Sequence, residues 1–406
     1  MSEFEISDLT ISLEELQEVR EDFRQELKKA FSDLSDHFKI SASYFSKPTG
    51  EEQGEYWAVD FGGTKIRCQK ISLENRTWNV LESEEILFLK KDGYHERAPL
   101  KAIAKTIVDH SYIGEKSFLG HAFSFVTDQS DSEEMTLIEW SKEIDIPDLI
   151  GKPINHHLQF ELAVQGRPEI KPIAILNDSV STLLAGSYVK ENTLVGGICG
   201  TGFNLCIYYA YPGQKPMIYN LEAGFFGKVR LTKLDEKLDQ NSQNKGKKLS
   251  EKQIGGRYLG ELARIYLAEK ISDFHELSPY SIHARDMSEW LDSDRIEKWL
   301  EGRKLTIDKK QKEEMARIGK ALLVRSATLV GAMLSGLLDL LEEKGEKEIK
   351  GIMDGSLFTR VPIYQSTMNG VIEKFGKKIE LFSLKDASSI GAAVAAGINR
   401  EKIAKF

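Results

Sequence analysis

The sequence predicts an α/β fold built from two related halves, on three observations. Stretches with a two-residue apolar period alternate with stretches of helical spacing. A strand, a glycine–threonine turn and a second strand occur twice, far apart in the chain. The 406 residues, 41% hydrophobic and 29% charged, are enough for about two or three domains at roughly 150 residues each, with large cores.

The elements follow in order. Over 12–40 apolar residues recur at helical spacing (Leu13, Leu16, Val19, Phe23, Leu27, Phe31, Leu34), and Ser12 with Glu15 makes a capping box. A linker-like stretch runs from Ser46 to Gly50. Residues 56–61 and 66–73 read as strands joined at Gly62-Gly63-Thr64, with further strands at 118–125 and 173–176 and helices over 100–110 and 179–190. Strands at 194–199 and 205–210 flank Gly200-Thr201-Gly202. Helices over 250–270, 310–343 and 388–399 complete the pattern.

Charge and cysteine content narrow the function classes. With 55 Lys and Arg against 63 Asp and Glu, the net charge is −8, which argues against nucleic acid as a partner. Cys68, Cys199 and Cys206 include no C-x-x-C pair, so neither a disulfide scaffold nor a structural zinc site is expected. The acidic start, Met1 to Glu5, has no leader-like apolar stretch. The longest uncharged apolar stretch, 326–338, is shorter than the roughly 20 residues a membrane helix needs. A cytoplasmic protein without a membrane-spanning segment is expected.

The two glycine–threonine turns are the first chemical signal. Asp60 ends a strand that runs into Gly62, Gly63 and Thr64. Glycines let backbone N–H groups approach an anion, and a carboxylate beside them can hold Mg²⁺ through water. Gly200, Thr201 and Gly202 offer a second cradle without a carboxylate. A lone glycine pair is more often just a turn; two such turns, one with a strand-end Asp, favour a polyphosphate held from both sides. Rival motifs are absent. No Gly-Lys pair is followed by Ser or Thr, so there is no P-loop, and 200–205 lacks the third glycine of the dinucleotide fingerprint. Asp60-Phe61-Gly62 has no H-R-D loop to make it a protein-kinase motif.

A second signal is a scatter of polar residues in apolar surroundings. The strand at 173–176 ends in Asn177 and Asp178 before a helix, a placement that suits chemistry but, taken alone, is better read as an N-cap. Ser124 sits between two phenylalanines, and Ser141 and Lys142 follow Trp140. Asn204, Glu222 and Glu251 lie in apolar or glycine-rich segments. Each alone is more often an exposed or satisfied polar group.

Taken in order, these segments resemble the eukaryote-type hexokinases. Residues 48–67 resemble P-T-G-x-E-x-G-x-Y-L-A-L-D-L-G-G-T-N-F-R; Phe123-Ser124-Phe125 resembles F-S-F-P, and Trp140-Ser141-Lys142 resembles W-T-K. Residues 176–180 resemble L-N-D-T-V, and 200–204 resemble G-T-G-x-N. Residues 220–227 resemble N-x-E-W-G-A-F-G, 235–251 align without a gap to D-R-L-V-D-E-S-S-x-N-P-G-x-x-L-x-E, and 251–261 resemble E-K-x-I-x-G-x-Y-L-G-E. Asp354-Gly355-Ser356 resembles the adenosine-side D-G-S. Lys65, Val126, Ala223 and the stretch 386–391 depart from the family pattern.

The resemblance implies an actin-like ATPase (ribonuclease H-like) fold, with two α/β domains flanking a cleft. It implies an N-terminal helix over 1–50 packed on the large domain, a small domain over 51–178 to which a C-terminal helix at about 388–400 returns, and a large domain over 179–387. It implies a hexokinase that uses ATP and Mg²⁺ to phosphorylate glucose or a related hexose at its 6-hydroxyl, as sugar enters glycolysis. Asp178 is then the general base and Lys142 a catalytic cation. Ser124, Ser141, Lys142, Asn177, Asp178, Asn204, Glu222 and Glu251 bind the sugar. Asp60, Gly62, Gly63, Thr64, Arg67, Gly200, Thr201, Gly202, Asp354, Gly355 and Ser356 bind the nucleotide, with Asp60 holding Mg²⁺ through water. Two other functions remain open at this level: a catalytically weak sugar sensor, and an actin-like ATPase that does not phosphorylate sugar.

Overall fold

Alternating apolar residues give each strand one face to bury, and the strands stack accordingly. The computed structural model describes residues 4–32, 34–35, 40–62, 65–87, 98–140 and 146–404. In chain order its strands are β1 (Ser41–Ala42), β2 (Gly54–Phe61), β3 (Lys65–Glu74), β4 (Thr77–Leu87), β5 (Ser117–Phe123), β6 (Val126–Gln129), β7 (Met135–Glu139), β8 (Ile170–Leu176), β9 (Thr193–Cys199), β10 (Phe203–Tyr209), β11 (Met217–Asn220), β12 (Lys350–Asp354) and β13 (Glu380–Phe382).

One sheet runs β4-β3-β2-β5-β8, the other β1-β11-β10-β9-β12-β13, and β6 pairs with β7. Apart from the short edge strand β1, the two large sheets share one plan. Three antiparallel strands meander outward, and two parallel strands are added on the other side of the first. The duplicated hairpin of the sequence is therefore the visible part of a duplicated five-stranded unit. In the first unit Asp60 pairs with Arg67 and Phe61 with Ile66; in the second Cys199 pairs with Phe203.

Two helices form the layer between the sheets. The Asp178–Val189 helix packs on β9 and β12, and the Ala387–Ala404 helix packs on β2, β5 and β8. They also pack on each other, and their buried faces form one apolar cluster with residues of both sheets: Leu183, Leu184, Ile352, Ala58, Ala122 and Val394. The Lys309–Glu342 helix is the one described helix long and apolar enough to cross a membrane, but 83% of that apolar window is buried inside the fold. Buried Arg325 on this helix donates twice to Asp235, at 2.7 and 2.8 Å.

Three elements differ from the sequence-based expectation. The first helix spans Leu13–Ala30 instead of running towards 40. Phe31 turns to stack on Tyr209, 4.8 Å between centroids, and Leu34 is 72% exposed. The strand expected over 118–125 ends at Phe123, and a new strand begins at Val126. The helix expected over 250–270 breaks into Leu249–Ile254 and Gly256–Lys270. The break lets the second glycine turn dock: Gly256 N donates to Gly200 O at 2.8 Å and Arg257 N to Thr201 O at 3.1 Å.

A histidine in the core supplies a pH test. His121 on β5 is fully buried between Phe61 and Phe123. Its Nδ1 lies 3.2 Å from Asn155 Oδ1, an atom that can only accept, so Nδ1 carries the hydrogen. Nε2 has no partner among the described residues. Burial lowers the pKa to about 4, partly offset by the Asn155 bond. Between that value and the ordinary 6.5, the unfolded chain takes a proton that the native state refuses. Stability therefore falls as pH drops through this window. From about pH 7 to about pH 5 the wild type should lose about 2 kcal/mol more than a His121→Leu variant, read by urea unfolding. Equal losses would refute the assignment. The comparison with a variant is needed because Asp60, with a raised pKa, acts in the opposite direction.

Candidate active site

The strand ends and helix starts of both halves converge on a cleft of about 620 Å³. Asp60 comes from the end of β2, and Asn177 and Asp178 from the junction of β8 with its helix. Gly200, Thr201 and Gly202 form the β9–β10 turn, and Asp354 ends β12, paired with Ile198. Ser124, Asn204, Glu222, Glu251, Arg67, Gly355 and Ser356 also line the cleft. Residues separated by up to three hundred positions thus share one cavity. Gly62 lies at the β2–β3 turn, where its N–H donates to Lys65 O at 3.2 Å, and it is not among the lining residues. Gly63, Thr64, Ser141 and Lys142 lie outside the described residues.

Amides and a hydroxyl form a connected network. Asn177 caps the Asp178–Val189 helix: its Oδ1 accepts from Ser179 N at 2.9 Å and from Ser179 Oγ at 2.8 Å. Asp178 Oδ1 also accepts from Ser179 N, at 2.8 Å. N-capping and a chemical role are thus divided between neighbours, because Asn177 is the cap and Asp178 is the first helical residue. Asn204 Nδ2 donates to Asn220 Oδ1 at 2.8 Å, and Asn220 Nδ2 donates to Glu222 Oε1 at 2.7 Å. Asn204 Oδ1 accepts from Leu205 N and Ala223 N at 2.8 and 3.2 Å. Each of these side chains is therefore held in one orientation.

Glu222 and Lys248 are both non-glycine residues in the left-handed region, with φ of 50° and 54°. Such backbone strain, about 1–3 kcal/mol per residue, is kept where the surrounding structure enforces it. Burial pushes the Glu222 pKa above the ordinary carboxylate range, while Lys248 and the Asn220 bond pull it back. Lys248 Nζ lies 3.4 Å from Glu251 Oε2 and 4.9 Å from the centre of the Phe225 ring. Burial opposes the Lys248 charge, but Glu251 and Glu222 more than offset it and raise the pKa. Glu251 Oε1 accepts from Phe203 N at 3.3 Å.

The two turns meet, and the 200–202 turn adjoins Glu251: a Cβ at Gly202 would lie 2.6 Å from Glu251 Oε1. Gly355 has a φ of 101°, and a Cβ there would lie 2.4 Å from Cys199 O, so only glycine lets the Asp354–Ser356 turn lie against Gly200. Asp354 Oδ1 accepts from Gly355 N at 2.6 Å. Asp60 is pushed up to about 6 by burial; Arg67 opposes this, and Asp178 and Asp354 add to it. Arg67 Nη1 lies 3.9 Å from Asp60 Oδ2 and 2.9 Å from Asp386 Oδ1. Ser388 Oγ donates to Asp60 Oδ1 at 3.1 Å. Asp386 and Ser388, at the start of the C-terminal helix, therefore hold the cleft-lining Arg67 and Asp60 from behind.

Several site residues were missed: Ser179 and Asn220, which belong to the network behind the lining, and Lys248, Arg257 and Arg360, which line the cleft. Asn220 stands in a segment with a sequence signal, two residues before Glu222. Lys248 falls on an unspecified position of the 235–251 motif, three residues before Glu251, so the motif did not single it out.

Comparison with known proteins gives concordant results. Two family profiles, each described as Hexokinase, match residues 3–188 and 194–398. Hexokinase-1 of Saccharomyces cerevisiae is 29% identical over 448 residues, covering 98% of this chain and 91% of its own. Human hexokinase-2 is 28% identical over 436 residues, covering 96% of this chain but 47% of its own, so the chain spans about half the length of that relative. The hexokinase of Schistosoma mansoni, solved in complex with glucose, matches with a TM-score of 0.86 over 97% of each chain at 24% identity, which shows likeness of fold.

Proposed function

This chain belongs to the hexokinase family and has its actin-like ATPase fold, and from that premise we propose that it transfers the γ-phosphate of Mg-ATP to the 6-hydroxyl of glucose or a related hexose. The supporting observation is one cleft lined by two unlike sets of groups. One set is the fixed amides and carboxylates Asn177, Asn204, Glu222 and Glu251; the other is the paired turns at 200–202 and 354–356; Asp178 lines the same cleft.

A hexose presents several hydroxyls, each donor and acceptor. Carboxylates accept from them in charge-assisted bonds, and amides both donate and accept. Ser124, Asn177, Asn204, Glu222 and Glu251 supply that mixture, joined in the proposal by Ser141. Asp178 accepts the proton of the 6-hydroxyl as its oxygen attacks the γ-phosphorus, which loses its bond to the β–γ bridging oxygen. Lys142 offsets charge on the transferring group. Gly200, Thr201, Gly202, Asp354, Gly355 and Ser356 hold the nucleotide, with Gly63 and Thr64 as donors at the first turn. The N–H of Gly62 is already taken by its own turn.

The described residues fit a magnesium ion held chiefly by phosphate and water. They contain no cluster of three or more His, Cys, Asp or Glu that could bind a metal alone, and Asp60 offers one carboxylate to the cleft. When bound, the ion neutralises phosphate charge during transfer. Arg67 and Ser388 keep the Asp60 carboxylate in place.

The proposed small lobe is 51–178 together with the returning C-terminal helix, and the large lobe is 179–387 with the N-terminal 1–50. The pairing of β1 with β11 and the ion pair of Arg20 with Asp339, at 2.6 Å, support the second assignment. A cytoplasmic location is part of the proposal, supported by three free, buried cysteines.

The test is ADP release from Mg-ATP in a coupled assay with glucose, mannose, fructose, glucosamine or no sugar. Release that requires a hexose is the expected result. Release indifferent to sugar would replace the proposal with a simple ATPase, and glucose binding without release would replace it with a sensor.

A further inference from the structure

We propose that Lys248 sets the charge specificity of the sugar pocket, selecting neutral hexoses over amino hexoses; this rests on the hexokinase reading above. Lys248 is held at the cleft in a strained left-handed conformation, as the residue before the Leu249–Ile254 helix. Its side chain is 22% exposed and Glu251's is 15%, so their charges meet largely out of water. The ammonium lies 3.4 Å from Glu251 Oε2, over the Phe225 ring, and within electrostatic reach of Glu222. Those two carboxylates would otherwise form an anionic pocket, further charged by Asp178, which also acts on Glu222.

An anionic pocket of that kind favours a sugar carrying an ammonium group. Lys248 takes the place of that cation: it neutralises one carboxylate charge and repels a second positive charge nearby. The carboxylates remain acceptors for hydroxyl donors, so a neutral hexose keeps its hydrogen bonds. Glu251 Oε1 is also pinned by Phe203 N, which leaves Oε2 facing Lys248.

The experiment compares glucosamine with glucose in the wild type and in Lys248→Gln. Lys248→Asn serves as a second variant, because Asn tolerates the left-handed conformation best among side chains of this size. The kcat/KM ratio of glucosamine to glucose should rise about tenfold on removal of the cation. Lys248→Arg should keep the wild-type ratio. The ratio for 2-deoxyglucose, neutral at the same carbon, should not move with the amine ratio. Unchanged ratios in both variants, or equal changes for both analogues, would overturn the proposal while leaving hexose phosphorylation intact. Ratios of dissociation constants from calorimetry read the same charge effect without turnover. They decide on Lys248 even if the wild type transfers no phosphate, an outcome that would count against the kinase reading instead.

Discussion

Asp178→Asn should lower kcat by about 10²–10⁴, the range that a positioned general base contributes, with glucose affinity changed only a few-fold. The substitution isolates basicity. Asn keeps the acceptor for Ser179 N, which Asp178 now supplies at 2.8 Å, and the N-cap belongs to Asn177, so the helix start is preserved. Loss of one charge from the first helical turn costs only about 0.3–1 kcal/mol. The checks are steady-state kinetics with glucose and Mg-ATP, calorimetric glucose binding, and a melting curve. A folded variant with near-normal kcat would remove Asp178 from the base role.

Gly391→Val should destabilise the protein by about 3 kcal/mol or more, at the upper end of overpacking effects, and lower turnover as well. Even a Cβ at 391 would lie 1.7 Å from Ser181 O, so the two middle helices touch backbone to backbone. On the other face of the C-terminal helix, a Cβ at Gly120 would lie 1.8 Å from Ala392 O. The helix is thus gripped between β5 and the Asp178–Val189 helix and cannot shift away without moving one of them. Displacing the latter moves Asp178 and the Asn177 cap, which links stability to activity. Urea unfolding and kcat measure both effects. Gly370→Ala is the control, since nothing lies within 4 Å of a Cβ there and helical alanine is favoured by about 0.5–1 kcal/mol. Full stability in Gly391→Val would refute the close packing.

How much was legible follows from where each signal resides. The hairpins around 62 and 200 were readable because period and turn residues are local. β4 was not: it is exposed along most of both faces, so it has no alternation to read. β12 and β13 were missed because they are short and gain their place by pairing parallel to distant strands. The break at Gly255 had a local signal in the Gly255-Gly256 pair, which the helical spacing around it outweighed; the docking of the Gly200 turn holds it. Asp178 and Glu222 stood out by their settings but gained their expected roles only through the family resemblance, whereas Lys248 was not singled out.

By itself the sequence determined the duplicated α/β pattern, the local motifs in their order, and through them the family. These are properties of neighbouring residues, carried by period, turn chemistry and spacing. Only the tertiary structure decided that Asp60, Asp178, Gly200, Asn204, Glu222 and Asp354 line one cleft. It also decided that Asn177 is the cap beside Asp178, and that a lysine sits against Glu251 in the same pocket. Strand pairing and close helix contact across hundreds of residues bring these groups together, and the energies that hold them come from packing that no local window contains.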